Sequence, residues 1–353
     1  MTDKKRIIYL DIARGIGMIL VVMGHVEYVN ITVRQFISAF HMPLFFLISG
    51  ILIWEKQEEE RSLTELTKRK LRGIMLPYAV FSLLSFCVEG GRIAVKGLEQ
   101  WDVVFRQLFQ SLCLQGVSTL WFLPALFMSE LLFIGIRKKT KNNWTIAIIF
   151  VIVVIVAFLN ILEKSVYQAH VGMLMWELMH DVISMLLRNL FCIGFVGGGY
   201  YIGKHALPGV FKQRGILVAW PVCCIIACVV IPINMGVDLR YMNLGNLLLF
   251  WLGAVSGTLT ILLGSKILES APKLLKGPLE YWGRNSLIIM VTHMDFRILY
   301  CSIKIATLMQ QLWNNPMVFC TCIVVLVFVL EIPVIWFVNR YFPGILGKTR
   351  KIS

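Results

Sequence analysis

Apolar runs long enough to cross a bilayer recur from one end of the chain to the other, and they constrain its fold more than any other feature. Backbone N–H and C=O groups in hydrocarbon find no water, so a crossing segment must satisfy them internally, which runs of about 20 apolar residues do as α-helices. Ten spans are expected, at residues 9–29, 36–54, 74–95, 118–136, 143–162, 184–203, 215–234, 242–264, 283–302 and 316–339. The expected fold is an all-α polytopic membrane protein, one integral membrane domain covering residues 1–353. Composition agrees: 58% of residues are hydrophobic, 15% are charged and mean hydropathy is +0.76, outside the range of soluble domains.

The formal net charge is +14, which in a soluble chain would point to nucleic acid. Its distribution points to topology instead. With a cytoplasmic N-terminus, 23 of the 34 Lys and Arg fall in cytoplasmic segments, seven in outer loops (Arg34, Arg92, Lys96, Arg106, Lys164, Arg240, Lys304) and four within spans (Arg14, Arg188, Arg297, Arg340). That bias follows the positive-inside rule, places both termini in the cytoplasm and leaves no case for nucleic-acid binding. The basic start followed by an apolar run looks like a signal peptide, but Asp11 and Arg14 interrupt it and no small-residue cleavage site follows, so it is expected to stay as a span. The nine cysteines show no C-x-x-C pair and no Cys/His cluster of metal spacing, so neither a metal nor a disulfide framework is expected. Two connecting segments have helical character. Ser62 with Glu65 three residues on reads as a capping box for a short interfacial helix, and Leu98, Trp101, Val104, Phe105, Leu108 and Leu112 form an amphipathic stripe on the outer side.

Within the first span, Arg14 and His25 are out of place for a mere anchor. Each costs roughly 2.5–3.5 kcal/mol in hydrocarbon on insertion scales, so the pair marks a functional site by default. Eleven residues at about 100° each return to within about 20° of the starting face, so both side chains share a stripe, roughly 16 Å apart along the axis. Asp11, one turn before Arg14, joins the stripe and is placed to pair with the guanidinium. An imidazole there is a natural general base for a hydroxyl.

Further candidates carry bland readings alongside functional ones. Arg69, Lys70 and Arg72 put three cations within four residues, either holding a polyphosphate or anchoring the third span by snorkelling. His41 opens the second span at the outer face, as a site residue or as a wetted interfacial histidine. His293, near mid-membrane after Tyr281-Trp282-Gly283-Arg284-Asn285-Ser286, either relays a proton or bonds across helices. Asp295, Arg297 and Arg188 either line an outward polar pocket or pair structurally. No G-x-S-x-G elbow and no H-E-x-x-H stands in the chain, which leaves serine hydrolases and zinc proteases unsupported.

Leu10-Asp11-Ile12-Ala13-Arg14-Gly15, with Gly24-His25 beyond, resembles the first helix of the membrane-bound acyltransferase family 3, whose signature is an Arg or Lys, ten residues and a His. The family's Arg-x-x-Arg is matched by Arg69 and Arg72. Residues 40–50, Leu120-Trp121-Phe122-Leu123-Pro124 and Gly283-Arg284-Asn285-Ser286-Leu287 with His293 continue the resemblance in the family's order, so that it covers residues 9 to 293. The resemblance implies a bacterial inner-membrane enzyme moving an acyl group, most often acetyl, from cytoplasmic acetyl-CoA to a hydroxyl of a glycan or lipid-linked sugar. It makes His25 the catalytic base or acyl carrier, with Arg14 and Asp11 beside it. Arg14, Arg69, Lys70 and Arg72 become donor-binding residues, and His41, Trp121, Arg188, Asn285 and His293 acceptor-binding ones. Leu-Asp-x-x-Arg-Gly looks like the fucose and sialic-acid type O-acetylases, and self-association is left open. A second reading is an amino-acid transporter, because membrane domains attached to serine racemases are similar to this family. The Arg69–Arg72 cluster favours the enzyme, since a polyphosphate donor needs cations and a small zwitterion does not.

Overall fold

The structure, a computed structural model, describes residues 6–97, 101–140, 142–211, 213–308 and 315–347. Lys4, Lys5, Leu98, Lys141, Lys212, Lys348, Arg350 and Lys351, all used in the reading above, lie outside the described residues. The helices are α1 (Ile8–His25), α2 (Ile31–Ser38), α3 (His41–Glu55), α4 (Leu63–Lys70), α5 (Leu76–Lys96), α6 (Trp101–Leu112), α7 (Phe122–Lys139), α8 (Asn142–Ala169) and α9 (Leu174–Phe191). They continue with α10 (Ile193–Tyr201), α11 (Leu207–Val210), α12 (Gln213–Ile233), α13 (Leu247–Leu268), α14 (Lys273–Arg284), α15 (Ser286–Thr292), α16 (Ile298–Leu308) and α17 (Pro316–Tyr341). Among the described residues, nine helical stretches are long and apolar enough to cross a membrane, at 8–25, 31–55, 63–96, 118–139, 143–169, 174–210, 215–233, 247–268 and 316–341. The chain is thus an all-α polytopic membrane protein.

Nine of the ten expected spans coincide with these stretches. The tenth, 283–302, is not one helix: α15 stops at Thr292, the backbone turns through residues 293–297, and α16 restarts at Ile298. Arg297 sits there at φ +59°, the left-handed region, where a non-glycine residue carries a strain of about 1–3 kcal/mol. The apolar pattern could not register this break, because residues 286–292 and 298–308 are each apolar and only Asp295 and Arg297 separate them. The expected interfacial helix also differs. Ser62 does cap it, accepting from Glu65 N at 3.2 Å, but Glu65 turns to Arg61 (3.3 Å), and α4 runs on into α5 through a π-turn at Leu71–Met75. Pro77 lacks the N–H that would close a regular turn onto Gly73, and Pro208 has the same relation to the π-turn at Ile202–Ala206. The outer amphipathic helix forms as α6, with Arg106 bonded to Glu177 at 2.9 Å.

Small residues let helices cross closely where the core is tightest, as expected where packing rather than water exclusion drives association. A Cβ on Gly50 would overlap the Val196 carbonyl oxygen, and one on Gly199 the Leu47 carbonyl oxygen, which locks α3 to α10. Gly15 and Gly283 do the same for α1 and α14, meeting the Leu279 and Asp11 carbonyl oxygens. Gly199→Val is therefore expected to destabilise the bundle at the upper end of the usual overpacking range, about 1–3 kcal/mol, read as a lowered unfolding temperature in detergent. An unchanged midpoint would mean that α10 can back away from α3.

Residue 6, where the described chain starts, and residue 347 lie on one face of the bundle: Arg6 lines a cavity with Arg69, and Gly347 abuts the Arg72 carbonyl. This is the near face. The far face holds the end of α1, the 113–118 turn, the 234–246 loop and the 293–297 break.

Candidate active site

Helix α1 carries the expected stripe. On the near face Asp11, 4% exposed, gathers three arginines: Arg6 Nε at 2.6 Å, Arg14 at 3.5 Å and Arg284 Nε at 3.7 Å. Those guanidiniums open onto a cavity of about 480 Å³ also lined by Lys56, Arg69, Lys70, Glu58 and Glu130, and floored by Phe45, Phe122 and Leu123. Six cationic side chains thus face this cavity against two carboxylates, three with Asp11 behind them. The surplus favours a multiply charged anion, and arginine forks suit phosphate. Arg72, from the same motif, is exposed and stands outside the cavity lining.

Lys70 behaves differently from its neighbours. It is 8% exposed and bridges Glu130 Oε2 at 2.6 Å and Glu58 Oε2 at 2.9 Å; Ser49 donates to the other Glu130 oxygen, and Arg69 reaches Glu58 at 2.5 Å. Its charge is committed inside the protein, tying the end of α4 to the middle of α7. Burial acts to raise the Glu58 carboxyl, but Lys70 and Arg69 outweigh it and hold that group below the ordinary carboxylate range. A depressed folded-state value means the Glu58 contribution is complete above the ordinary carboxylate pKa and lost only as pH falls through the lowered one. Lys70→Met would strand the buried Glu130 carboxylate, while Glu58 keeps Arg69, at a cost of about 3–5 kcal/mol. The expected readout is loss of folded protein, with partial recovery in Lys70→Met/Glu130→Leu. Full stability of the single variant would contradict the network's role.

At the far end of α1, His25 lines two cavities at once, one of about 500 Å³ with Glu27, Glu89, Asp295 and Arg297, the other of about 270 Å³ with Arg34, His41, Trp121, Asp238 and Arg240. The His293 ring packs 5.4 Å from the His25 ring, centroid to centroid, fully buried. His293 Nδ1 lies 2.6 Å from the Ile289 carbonyl, which makes that nitrogen the donor and leaves Nε2 without a hydrogen-bond partner. Met290 lines both the near cavity and the smaller far cavity, so this residue is part of the wall between them. Thr119 holds the Met290 carbonyl at 2.7 Å. Arg14 and His25 thus face separate cavities on opposite sides of this wall, at the helical separation of roughly 16 Å.

The remaining expected site residues divide. His41 and Trp121 line the smaller far cavity. Arg188, 1% exposed, stacks 4.9 Å from the Trp121 ring and donates to the carbonyls of Gln115 (3.0 Å) and Arg240 (3.3 Å), so it braces the cavity wall from behind. Asn285 donates to the Tyr281 carbonyl at 2.8 Å and accepts from Asn339 at 2.9 Å, joining α14 to α17. Asp295 and Arg297 do line a far-face pocket, and Arg297 meets Glu89 at 3.5 Å.

Sequence reasoning passed over Glu130, Glu58, Arg6, Arg34, Arg240 and Glu331. Glu331, fully buried in α17, has both carboxylate oxygens within 3.0 Å of the Thr292 hydroxyl, one residue before His293. Glu130 and Glu331 did leave a signal, since each is a carboxylate inside an apolar span. Glu58 and Arg240 sit in connecting segments and Arg34 near the outer end of the 31–55 stretch, where charge is ordinary.

In comparison with known families, residues 7–336 match the family model described as "Acyltransferase domain". No curated protein and no solved structure matches the chain. Nothing in these comparisons supports transport.

Proposed function

The chain belongs to that acyltransferase family, and from this premise we propose that it transfers acetyl from acetyl-CoA, bound at the near face, to a glycan or lipid-linked sugar hydroxyl held at the far face. The observation that carries the reading is the division of α1: Arg14 faces a cavity rich in arginine, His25 faces two cavities beyond the Met290 wall, and one rigid helix spans both.

Arg6, Arg14, Arg69 and Arg284 fit the phosphates of the donor, whose thioester supplies an activated acyl carbon. Asp11 fixes the fan of guanidiniums so that they need not reorganise on binding. His25 accepts the proton of the acceptor hydroxyl as its oxygen forms the new C–O bond; the C–S bond breaks and the proton returns to the departing sulfur. His293, with Nδ1 held by the Ile289 carbonyl, limits the positions open to the His25 ring. Met290 must shift for the acyl group to pass, and an unbranched thioether adapts to that at low cost. The distribution of Lys and Arg supports a cytoplasmic near face, the side where acyl-CoA is made, and the reading puts the enzyme in a bacterial inner membrane. The Leu-Asp-x-x-Arg-Gly run of α1 resembles that of the fucose and sialic-acid type O-acetylases, a likeness that narrows the sugar very little.

Purified protein supplied with radiolabelled acetyl-CoA should release free CoA only when a glycan acceptor is present. Release of CoA without acceptor at the same rate would reduce the protein to a thioesterase.

A further inference from the structure

The smaller far-face cavity contains two guanidiniums, Arg34 and Arg240, with Asp238 as the carboxylate in its lining. Arg34 comes from α2, whose start is set by Asn30 accepting from Thr32 N at 2.8 Å, and Arg240 comes from the 234–246 loop. Among the described residues neither forms an ion pair with a carboxylate, whereas the near-face arginines 6, 14, 69 and 284 all do. Arg34 Nε is buried with no hydrogen-bond partner, a position that calls for an acceptor atom. The lining includes one carboxylate, Asp238, and its Oδ1 already accepts from the Arg240 backbone N–H at 2.8 Å.

The loop that presents Arg240 is built to stay in place. Asn234 donates to the Leu244 carbonyl at 3.0 Å and accepts from Asn246 N at 2.9 Å, closing its base. Asn160 and Lys164 both hold the Met242 carbonyl at 3.0 Å, and Arg188 holds the Arg240 carbonyl at 3.3 Å. Four side chains thus fix a backbone that presents a half-buried cation to the cavity His25 lines. Far-face segments carry few cations in this chain, so placing two around one cavity runs against its own charge bias.

We propose that Arg34 and Arg240 clamp an anionic group, a carboxylate or a phosphate, on the acceptor sugar, so that the acceptor is an acidic glycan whose acylated hydroxyl lies near that charge. This rests on the far cavities being the acceptor site. The anion would complete the hydrogen bonding of Arg34 and orient the sugar relative to His25, while a neutral sugar would leave two desolvated guanidiniums facing it.

Binding of three small probes tests this without any acyl donor: methyl glucuronoside, glucose 6-phosphate and methyl glucoside, titrated calorimetrically into the intact protein in phosphatidylcholine nanodiscs. The native protein should bind at least one charged probe about ten- to a hundredfold more tightly than methyl glucoside, as loss of one or two charge-assisted bonds implies. Which charged probe wins identifies carboxylate or phosphate. Arg34→Gln and Arg240→Gln should each bring the charged probe's affinity toward the neutral one's. Equal affinity for charged and neutral probes in the native protein overturns the proposal, with no dependence on variants folding. So does a preference that survives in the double variant, or one that vanishes when phosphatidylglycerol is added, which would assign the clamp to a lipid headgroup. Acetyl transfer is a separate readout: its absence alongside a strong acid preference would count against the transferase reading alone.

Discussion

His25→Gln is expected to lower acetyl transfer by about 10²- to 10⁴-fold, the usual range for removing a general base, while acetyl-CoA still binds. The two effects separate because His25 lines the far cavities and is absent from the near-cavity lining. The amide keeps approximate size and polarity, so packing against His293 at 5.4 Å should persist and unfolding temperature should stay close to that of the native protein. Transfer of label to acceptor, measured beside equilibrium binding of labelled donor, checks both halves. Retained transfer would remove His25 from the chemistry. Lost donor binding would mean that the Met290 wall does not separate the sites as described.

Arg14→Gln should fail in the opposite way. It removes a guanidinium at the centre of the fan held by Asp11, and a lost charge-assisted hydrogen bond of about 1.5–3 kcal/mol corresponds to a rise in donor KM of roughly ten- to a hundredfold. The acceptor KM should not move, since Arg14 lines only the near cavity among those around α1. Donor affinity in the native protein should also fall with added salt, and less steeply in the variant. This differs from Lys70→Met, whose expected defect is in folding, because Lys70 is spent on Glu58 and Glu130. A variant at Arg14 that lost folded protein but kept donor KM would transfer that structural role from Lys70 to Arg14.

The helical period alone was enough to put Asp11, Arg14 and His25 on one face, and the structure keeps them there because α1 is regular from Ile8 to His25. Nine spans were legible for the same reason: length and apolarity are local properties. What the period could not convey was partnership. Lys70 looked like another phosphate ligand until Glu130, from a helix sixty residues further on, was seen beside it. Arg34 and Arg240 belong to segments about 200 residues apart, each unremarkable alone, and only the fold brings them round His25. The break at residues 293–297 was hidden because hydropathy counts side chains and the break is in the backbone, signalled by Arg297 at positive φ. Glu130 and Glu331 carry the same local signal as Arg14, an ionisable group inside an apolar span.

The central claim is that donor and acceptor meet across one helix from opposite sides of the membrane. Proteoliposomes containing protein of one orientation, with labelled acetyl-CoA confined to the Arg14 side and glycan acceptor to the His25 side, test it most directly. Labelled acetyl should appear on the acceptor in that arrangement and not when the compartments are exchanged. Equal labelling with donor and acceptor exchanged, or labelling only when both are on one side, would contradict it.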